Sequence, residues 1–421
     1  MNRQKIYMCI DLKSYYASVE CVERGLDPMT TDLVVADPTR TERTICLAVS
    51  PSLKAKGVRN RCRVYEIPKG MTYIMAPPRM NKYMEYSARI YGVYLKYVSK
   101  EDIHVYSIDE AFLDVTSYMA AWGDTPKDFA KRIISDIKNT TGITATCGIG
   151  TNLFLAKVAL DIVAKHAEDY IGVLTEKSFQ EQLWDHRPIT DFWMIGHGTE
   201  NRLGRMGIQT LREVTQCNEK YLYKAFGINA ELLIDHAWGR ESTSIADIKA
   251  YKPKLNSLSS SQVLHEGYDI PGTKLLVLEM AELLSLDLVA KDLCTNSITI
   301  YLAYSYTADM RPAHGTISTG PFTSSTKKIL EFVAALYDRI AVYDILVYQV
   351  GICFNNLQPE TSWQYDIFSP AVSQEKEKRL QKTIIGIKEK YGRNGIVKGM
   401  NLLEGAKTVE RNAQVGGHRA E

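Results

Sequence analysis

The sequence lacks the features of several protein classes. Its eight cysteines are scattered and form no Cys-x-x-Cys pair, which argues against a zinc site or a disulfide framework and is typical of a reducing cytoplasm. No stretch reaches the roughly 18 apolar residues of a membrane span, and the N-terminal apolar run stops at Asp11, too short for a signal peptide. The formal net charge is only +2, so any nucleic-acid binding has to come from local surfaces.

Two acidic elements stand inside apolar, strand-forming runs. Asp11 lies in Ile10-Asp11-Leu12, and Asp109 and Glu110 lie between Tyr106 and Phe112. A buried carboxylate is costly unless it is paired or binds a metal. Three convergent carboxylates suit Mg²⁺, and two such ions can clamp the attacking and leaving oxygens of a phosphoryl transfer. Any one of these residues alone would be read as a turn or cap residue.

The order of elements predicts how these carboxylates meet. The pattern indicates a ferredoxin-like sheet with an insert after its first helix. In such a sheet the first strand and the central hairpin can lie side by side, which brings Asp11 next to Asp109 and Glu110. A tyrosine series that includes Tyr83 and Tyr86 is interpreted as helix packing. The predicted strands are 6–12, 33–36, 44–49, 103–106, 111–115 and 143–149, and the predicted helices are 14–24, 79–98, 126–138 and 152–165.

The second half of the chain predicts further units. Gly196 and Gly198, followed by a helix, resemble a helix–hairpin–helix whose backbone N–H groups could approach a DNA phosphate, although an ordinary helical turn has the same pattern. A polar stretch at 241–258 predicts a tether. Strands at 297–306 and 346–354 and helices at 275–290 and 327–341 predict a second α+β domain. Beyond it, a charged helix is predicted at 373–390 and an irregular end at 416–419.

Four groups of residues together resemble the Y-family DNA polymerases, specifically the UmuC-like branch and its UvrX-like relatives in Gram-positive bacteria and their phages. They occur in family order and cover residues 1–170 densely. They are Asp11-Leu12-Lys13-Ser14-Tyr15-Tyr16-Ala17-Ser18-Val19-Glu20, Ala48-Val49-Ser50, Tyr106 through Asp114, and Gly148-Ile149-Gly150-Thr151-Asn152 ahead of Leu155-Ala156-Lys157-Val158-Ala159.

The resemblance implies an α+β multidomain protein shaped as a right-handed polymerase. It has a ferredoxin-like palm, small fingers, a helical thumb with the helix–hairpin–helix, and an α+β little finger. The implied palm is 1–30 and 73–170, the fingers 31–72, the thumb 171–243, the linker 244–254, the little finger 255–357 and the tail 358–421.

The resemblance also implies a role for each residue of the site. Two Mg²⁺ ions, for which Mn²⁺ is a substitute, would be held by Asp11, the Leu12 carbonyl, Asp109 and Glu110. Tyr16 would be the steric gate that rejects a 2′-hydroxyl, with Tyr15 beside it, although helix-start packing is the alternative for both. Lys157 would reach the triphosphate, with Lys54 as a second candidate. Relatives carry Tyr where this chain has Pro51, so Ser50 or Ser52 would have to compensate, and the direction of Lys13 stays open.

A short segment of the tail resembles the bacterial sliding-clamp pentapeptide. It is Gln364-Tyr365-Asp366-Ile367-Phe368, in which Gln364, Ile367 and Phe368 would contact the clamp. Tethering to a clamp on DNA would offset a weak intrinsic grip. A recombinase filament or an accessory subunit is a further candidate partner, and no membrane partner is expected.

The resemblance therefore implies a cytoplasmic, DNA-templated DNA polymerase of the SOS response that inserts dNTPs opposite damaged templates on primed DNA, with low fidelity and processivity. Two other functions stay open. One is a nucleotidyl cyclase, which also uses two carboxylates and two metals. The other is an accessory factor that binds DNA and the clamp and whose catalysis is dispensable.

Overall fold

The computed structural model describes residues 4–122, 125–304, 310–360 and 371–421. The chain forms two compact units, one of residues 1–251 with 420–421 and one of residues 252–419. No helix in these ranges is long and apolar enough to cross a membrane.

The N-terminal part of the first unit contains a small insert between its first helix and the next long one. Its elements are β1 (Tyr7–Leu12), α1 (Tyr15–Val22), β2 (Leu33–Val35), β3 (Ala48–Val49), α2 (Pro51–Ala55) and β4 (Ile74–Ala76). The three short strands of the insert form a sheet of order β3-β2-β4. This sheet and α2 enclose their own apolar cluster around Val34, Val49 and Leu53.

The main sheet of the first unit is completed by the next elements. They are α3 (Met80–Tyr94), β5 (Ile103–Val105), β6 (Glu110–Asp114), α4 (Met119–Trp122), α5 (Pro126–Thr141), β7 (Ala145–Gly150), α6 (Leu153–Val158) and β8 (Ile171–Leu174). The strand order is β5-β6-β1-β7-β8, so β1 pairs with the hairpin strand β6 on one side and with β7 on the other. The predicted neighbourhood of β1 and the central hairpin is confirmed, and β8 is an additional strand.

Two glycines of β7 explain how closely α6 packs on the sheet. A Cβ placed on Gly148 would lie 2.1 Å from the Ala156 carbonyl oxygen, and one on Gly150 would lie 2.2 Å from the Ala156 nitrogen. Only glycine leaves room for the helix backbone there. The close packing fixes the position of every side chain that α6 directs towards β1.

The rest of the first unit is helical. Its elements are α7 (Glu176–Leu183), α8 (His197–Gly204), α9 (Leu211–Gln216), α10 (Glu219–Phe226), α11 (Asn229–Ala237) and α12 (Ile245–Ala250). The apolar faces of α7 to α11 share one core that includes Phe179, Phe192 and Leu211. Helix α12 lies within the stretch predicted to be a tether, and its Ile245 is buried, so a tether can begin only after Tyr251.

The second unit is a four-stranded sheet covered on one face by helices. Its elements are β9 (Ser257–Tyr268), α13 (Ile270–Ala290), β10 (Leu293–Tyr304), β11 (Ala313–Thr323), α14 (Thr326–Ile340), β12 (Val347–Asn355), β13 (Gln358–Pro359), α15 (Ala371–Tyr391), α16 (Thr408–Asn412), β14 (Gln414–Val415) and β15 (His418–Arg419). The order is β11-β10-β12-β9, and β13 pairs with β10. Helices α13 and α14 share a core with the inner face of the sheet.

The end of the chain is folded, which corrects the prediction of an irregular end. Strands β14 and β15 pair as a small hairpin. The carboxylate of Glu279, on α13, is almost completely buried and accepts hydrogen bonds from Asn401 Nδ2 at 2.9 Å and from the backbone nitrogen of Lys407 at 2.8 Å. A buried carboxylate needs such donors, so these contacts fasten the segment to α13.

Candidate active site

The three predicted carboxylates meet at one end of the β1–β6 pair. Asp11 lies directly opposite Glu110 in the antiparallel register. The Leu12 nitrogen donates to the Asp109 carbonyl oxygen at 3.0 Å. The Ser107 hydroxyl donates to Asp109 Oδ1 at 2.7 Å, which orients that carboxylate in the hairpin turn. The local pairing of two strands therefore places acidic residues that are about a hundred positions apart in the sequence beside one another.

Glu110 is held by two buried donors. Its Oε1 accepts from the Cys9 thiol at 3.1 Å, and its Oε2 accepts from Lys157 Nζ at 2.9 Å. Lys157 also lies 3.0 Å from Asp161. Burial alone lowers the pKa of Lys157, but the neighbouring Cys9, Asp161 and Glu110 raise it well above its usual value. Lys157 is therefore a charged partner of two carboxylates, and its ammonium is already bound.

The charges around Asp11 decide whether a divalent cation fits here. Burial first, and then the charges of Asp109 and Glu110, raise the pKa of Asp11 to about 7. Within the described ranges, no three acidic, histidine or cysteine side chains converge closely enough to hold a metal ion by themselves. The repulsion among the three carboxylates is what a cation relieves, and oxygen donors suit Mg²⁺. The donor chemistry therefore fits Mg²⁺ at Asp11 and Asp109, whereas Glu110 is turned towards Lys157.

In Mg²⁺-free buffer, Asp11→Asn is expected to be more stable than the wild type at pH 8 and to lose most of that advantage at pH 4. The pKa of about 7 in the folded protein exceeds the ordinary 3.8, so the folded chain keeps a proton that the unfolded chain releases. The wild type therefore loses up to about 4 kcal/mol of unfolding free energy as the pH rises from the ordinary pKa of 3.8 to the folded-state pKa of about 7. Urea unfolding at both pH values measures the effect, and an equal difference at both would contradict it.

The two tyrosines of the predicted gate begin helix α1. Tyr15 is buried, and its hydroxyl donates to the backbone oxygen of Tyr83. Tyr16 is half-buried, and its ring stacks on the ring of Tyr83 with 4.3 Å between centroids and 17° between planes. Burial and the charge of Asp109 raise the pKa of Tyr16, so its hydroxyl lies within electrostatic reach of that carboxylate. The structure therefore brings Tyr16 to the carboxylates.

Two of the predicted nucleotide ligands, Ser50 and Lys54, lie in the insert, and their side chains point in different directions. Ser50 is completely buried and caps α2, and its hydroxyl oxygen accepts from the Leu33 nitrogen at 3.1 Å and the Leu53 nitrogen at 3.4 Å. This hydroxyl faces the protein interior, which gives no support to the predicted nucleotide contact. Pro51 is the first residue of α2, where a missing N–H costs nothing. Lys54, in contrast, reaches across to the first strand–helix turn and donates to Ser14 Oγ at 2.9 Å.

Lys13 turns away from the carboxylates. Its ammonium lies 3.7 Å from the centroid of the Tyr170 ring, a cation–π contact. Burial and the charge of Lys54 lower the pKa of Lys13. The direction of Lys13, which the sequence leaves open, is thereby settled in favour of packing against an aromatic ring.

Lys165 is a further candidate site residue, and the sequence patterns did not reveal it. Its charge lowers the pKa of Asp11 and that of Lys54, so it lies within electrostatic reach of both. A π-helical segment at Ala159–Val163 shortly precedes it, in place of the regular helix predicted to residue 165. A π-helical turn inserts one extra residue and rotates the next turn of the helix, which no hydrophobic pattern reveals. The side chain of Lys165 is half-exposed and forms an ion pair with Asp161 at 3.0 Å.

The remaining predicted contacts lie elsewhere. Gly196 precedes α8 as its cap, and Gly198 lies in the first turn. A Cβ at either glycine would meet no atom within 4 Å, so this backbone faces open space. The exposed Met194 before it has a left-handed φ of 70°. Gln364, Ile367 and Phe368 of the clamp-like segment lie outside the described residues.

Comparisons with known proteins identify the class. The profile of the impB/mucB/samB family matches residues 10–161, and the profile of that family's C-terminal domain matches residues 256–367. Between them they cover more than half of the chain and both of its units. The chain belongs to this family and is a Y-family translesion polymerase, a DNA-directed DNA polymerase.

Two relatives match this chain over almost its full length. A protein of Bacillus subtilis (strain 168) named for UV-damage repair, UvrX, is 29% identical over 422 residues, covering 99% of this chain and 98% of its own. DNA polymerase IV 2 of the same organism is 28% identical over 437 residues, covering 99% and 100%. A solved Y-family DNA polymerase chimera shares the fold, with a TM-score of 0.64, 22% identity, and coverage of 84% of this chain and 99% of its own.

Proposed function

We propose that this polymerase inserts dNTPs opposite damaged templates on primed DNA by a two-metal phosphoryl transfer centred on Asp11 and Asp109. The observation that carries the proposal is the Asp11–Glu110 register with Asp109 beside it. Burial, together with the negative charges of Asp109 and Glu110, raises the pKa of Asp11 to about 7. A half-buried carboxylate with a strongly raised pKa is typical of a functional site.

Each residue of the site would have its own role in the phosphoryl transfer. Asp11, Asp109 and the Leu12 carbonyl would hold Mg²⁺, and Glu110 would join them when its bond to Lys157 opens. Bound Mg²⁺ supplies charge neutralisation at the triphosphate and lowers the pKa of a coordinated hydroxyl. Tyr16 would close the space beneath the sugar, and Tyr15 supports the adjacent backbone. Lys157 would keep Glu110 paired and oriented, a different role from the triphosphate contact predicted from the sequence.

We assign the triphosphate contact to Lys165 together with Lys54. Both ammonium groups lie within electrostatic reach of Asp11. Lys54 donates to a neutral hydroxyl, and Lys165 pairs with the carboxylate of Asp161. An ammonium is a compact point charge that suits phosphate oxygens. The contact would hold the dNTP in the ground state and in the transition state alike, so its removal should affect binding more than turnover.

Lys165→Ala is expected to raise the KM for dNTP by roughly 10- to 150-fold and to change kcat by less than about threefold, because a charge-assisted hydrogen bond contributes about 1.5–3 kcal/mol. Steady-state single-nucleotide insertion measures both constants. Lys177→Ala serves as the control, because this lysine is 85% exposed on α7. Equal KM values for the two variants would contradict the assignment.

The units would take the parts of a polymerase hand. The main sheet with α3, α5 and α6 would be the palm, the three-stranded insert the fingers, α7–α11 the thumb, and the second unit the little finger. The open backbone at Gly196 and Gly198 supports a phosphate contact there. The segment from Gln364 to Phe368 would bind a sliding clamp, and low processivity without the clamp would follow.

The test is primer extension by the full-length protein on a primed DNA template with Mg²⁺, run on an undamaged template and on one that carries a single lesion. We expect template-directed addition of dNTPs on both and rejection of rNTPs. DNA and clamp binding without extension, under every template and cation condition, would instead indicate the accessory factor. Cyclisation of a free nucleotide without a primer would indicate the cyclase.

A further inference from the structure

The ring of Tyr16 lies on a second aromatic ring that has a fixed position of its own. Tyr83, on α3, is completely buried and stacks under Tyr16 at 4.3 Å between centroids. Its backbone oxygen also accepts the hydroxyl of Tyr15. The sequence pattern assigned Tyr83 to packing alone. The structure makes it the surface that determines where the Tyr16 ring can rest.

Tyr83 is in turn anchored by an ionic cluster. Its hydroxyl donates to Glu20 Oε1 at 2.8 Å. The Glu20 side chain is 0% exposed and accepts from Arg79 Nε at 3.0 Å and Arg79 Nη2 at 2.8 Å, and from Arg24. Burial raises the pKa of Glu20, but the hydrogen bonds from these arginines and from Tyr83 outweigh it and hold the pKa below its usual range. Glu20 is thus a fully satisfied, ionised group that fixes the Tyr83 ring.

We propose that Glu20 and Tyr83 are positioning residues for sugar selection, because they hold the Tyr16 ring at the height that leaves no room for a 2′-hydroxyl. The proposal rests on the gate role proposed for Tyr16. A tyrosine ring that loses its hydroxyl anchor can tilt in its pocket, and a ring stacked on it can follow. A shift of the Tyr16 ring away from the sugar would relieve part of its clash with a 2′-hydroxyl. Neither residue touches the nucleotide, so both act through Tyr16.

The same helices provide a matched comparison. Tyr86 stands one turn farther along α3, is 4% exposed, and its hydroxyl donates to Glu23 Oε1 at 2.7 Å. It therefore makes the same kind of tyrosine–glutamate hydrogen bond between α3 and the end of α1. Within the part of the chain that the structure describes, its ring makes no aromatic contact with Tyr16. Removing the hydroxyl of Tyr83 or of Tyr86 removes a similar hydrogen bond, but only Tyr83 lies under the Tyr16 ring.

The experiment compares Tyr83→Phe with Tyr86→Phe in the full-length protein. The measured quantity is the ratio of kcat/KM for a dNTP to that for the matching rNTP, with the melting temperature as a check on folding. Tyr83→Phe is expected to lower this ratio by about 3- to 10-fold, because only part of the effect of losing one hydrogen bond to a charged group is transmitted to the Tyr16 ring. Tyr86→Phe is expected to leave the ratio unchanged. If Tyr83 contributed to stability alone, kcat/KM for the dNTP and kcat/KM for the rNTP would fall together, and their ratio would not change.

A second experiment, in the Tyr16→Ala variant, separates the gate role of Tyr16 from the positioning role of Tyr83. In Tyr16→Ala, where the ring is gone, adding Tyr83→Phe is expected to produce no further loss of sugar discrimination. If Tyr16→Ala leaves discrimination unchanged, Tyr16 is not the gate, and the positioning role falls with it. If Tyr16→Ala abolishes discrimination while Tyr83→Phe matches Tyr86→Phe, the gate stands and only the positioning role is overturned.

Discussion

Replacing Asp109 with alanine is expected to reduce primer extension by at least about a hundredfold. Asp109 lies beside Asp11, and its charge is one of the causes that raise the pKa of Asp11 to about 7. Loss of one of two carboxylates that share a cation removes charge stabilisation where the reaction needs it most, which typically costs a factor of hundreds or more. Single-turnover insertion at saturating dNTP measures the effect on the chemical step.

The control for Asp109→Ala is Asp114→Asn on the same strand pair. Asp114 lies opposite Tyr7, at the other end of β6, and accepts from the Thr116 hydroxyl at 2.5 Å. It is expected to keep extension within about threefold of the wild type, because a local turn contact is worth only about 1 kcal/mol. DNA binding, measured by fluorescence anisotropy of a labelled primer–template, should be retained in both variants. Full extension by Asp109→Ala would transfer our support to the accessory factor.

Replacing Tyr16 with alanine is expected to allow the enzyme to use rNTPs. A ring that occupies the space of a 2′-hydroxyl imposes an overpacking cost of about 1–3 kcal/mol, so its removal should lower sugar discrimination by roughly 5- to 150-fold. The half-buried ring is within electrostatic reach of Asp109, which places it on the side of the carboxylates. Insertion of a matched dNTP and rNTP, each titrated separately, gives the two specificity constants.

Tyr16→Phe keeps the ring and loses only the hydroxyl, and it is expected to keep the discrimination. The comparison tests shape against hydrogen bonding, because alanine removes both and phenylalanine removes one. Loss of discrimination in Tyr16→Phe as large as that in Tyr16→Ala would show that the hydroxyl is responsible. In that case steric exclusion by the ring would no longer explain sugar selection.

The sequence predicted the meeting of the carboxylates because it depends on features visible in one dimension. Continuous apolar runs identify β1 and β6, and a strand followed by a helix and a hairpin has few ways to form a sheet. Asp11 therefore lies beside Asp109 and Glu110 as expected. The same reasoning could not find Lys165, since its position depends on a π-helical turn at residues 159–163.

Strand β9 shows why some strands escaped prediction. It contains mostly polar residues, with Leu258 and Leu264 on its inner face, so the sequence pattern predicted no strand there. Its pairing with β12 supplies the stability that its composition does not. For Ser50 the sequence could not show that its hydroxyl caps α2, because a capping serine and a ligand serine differ only in the direction of the hydroxyl.

The buried pair of Lys157 and Glu110 has a consequence for how this protein folds. A centre with three carboxylates close together would oppose its own folding if every charge had to await an external ion. Lys157 supplies an internal counter-ion at 2.9 Å, with Asp161 sharing it at 3.0 Å. Because Lys157 neutralises Glu110 within the folded chain, folding does not depend on an external ion at that carboxylate.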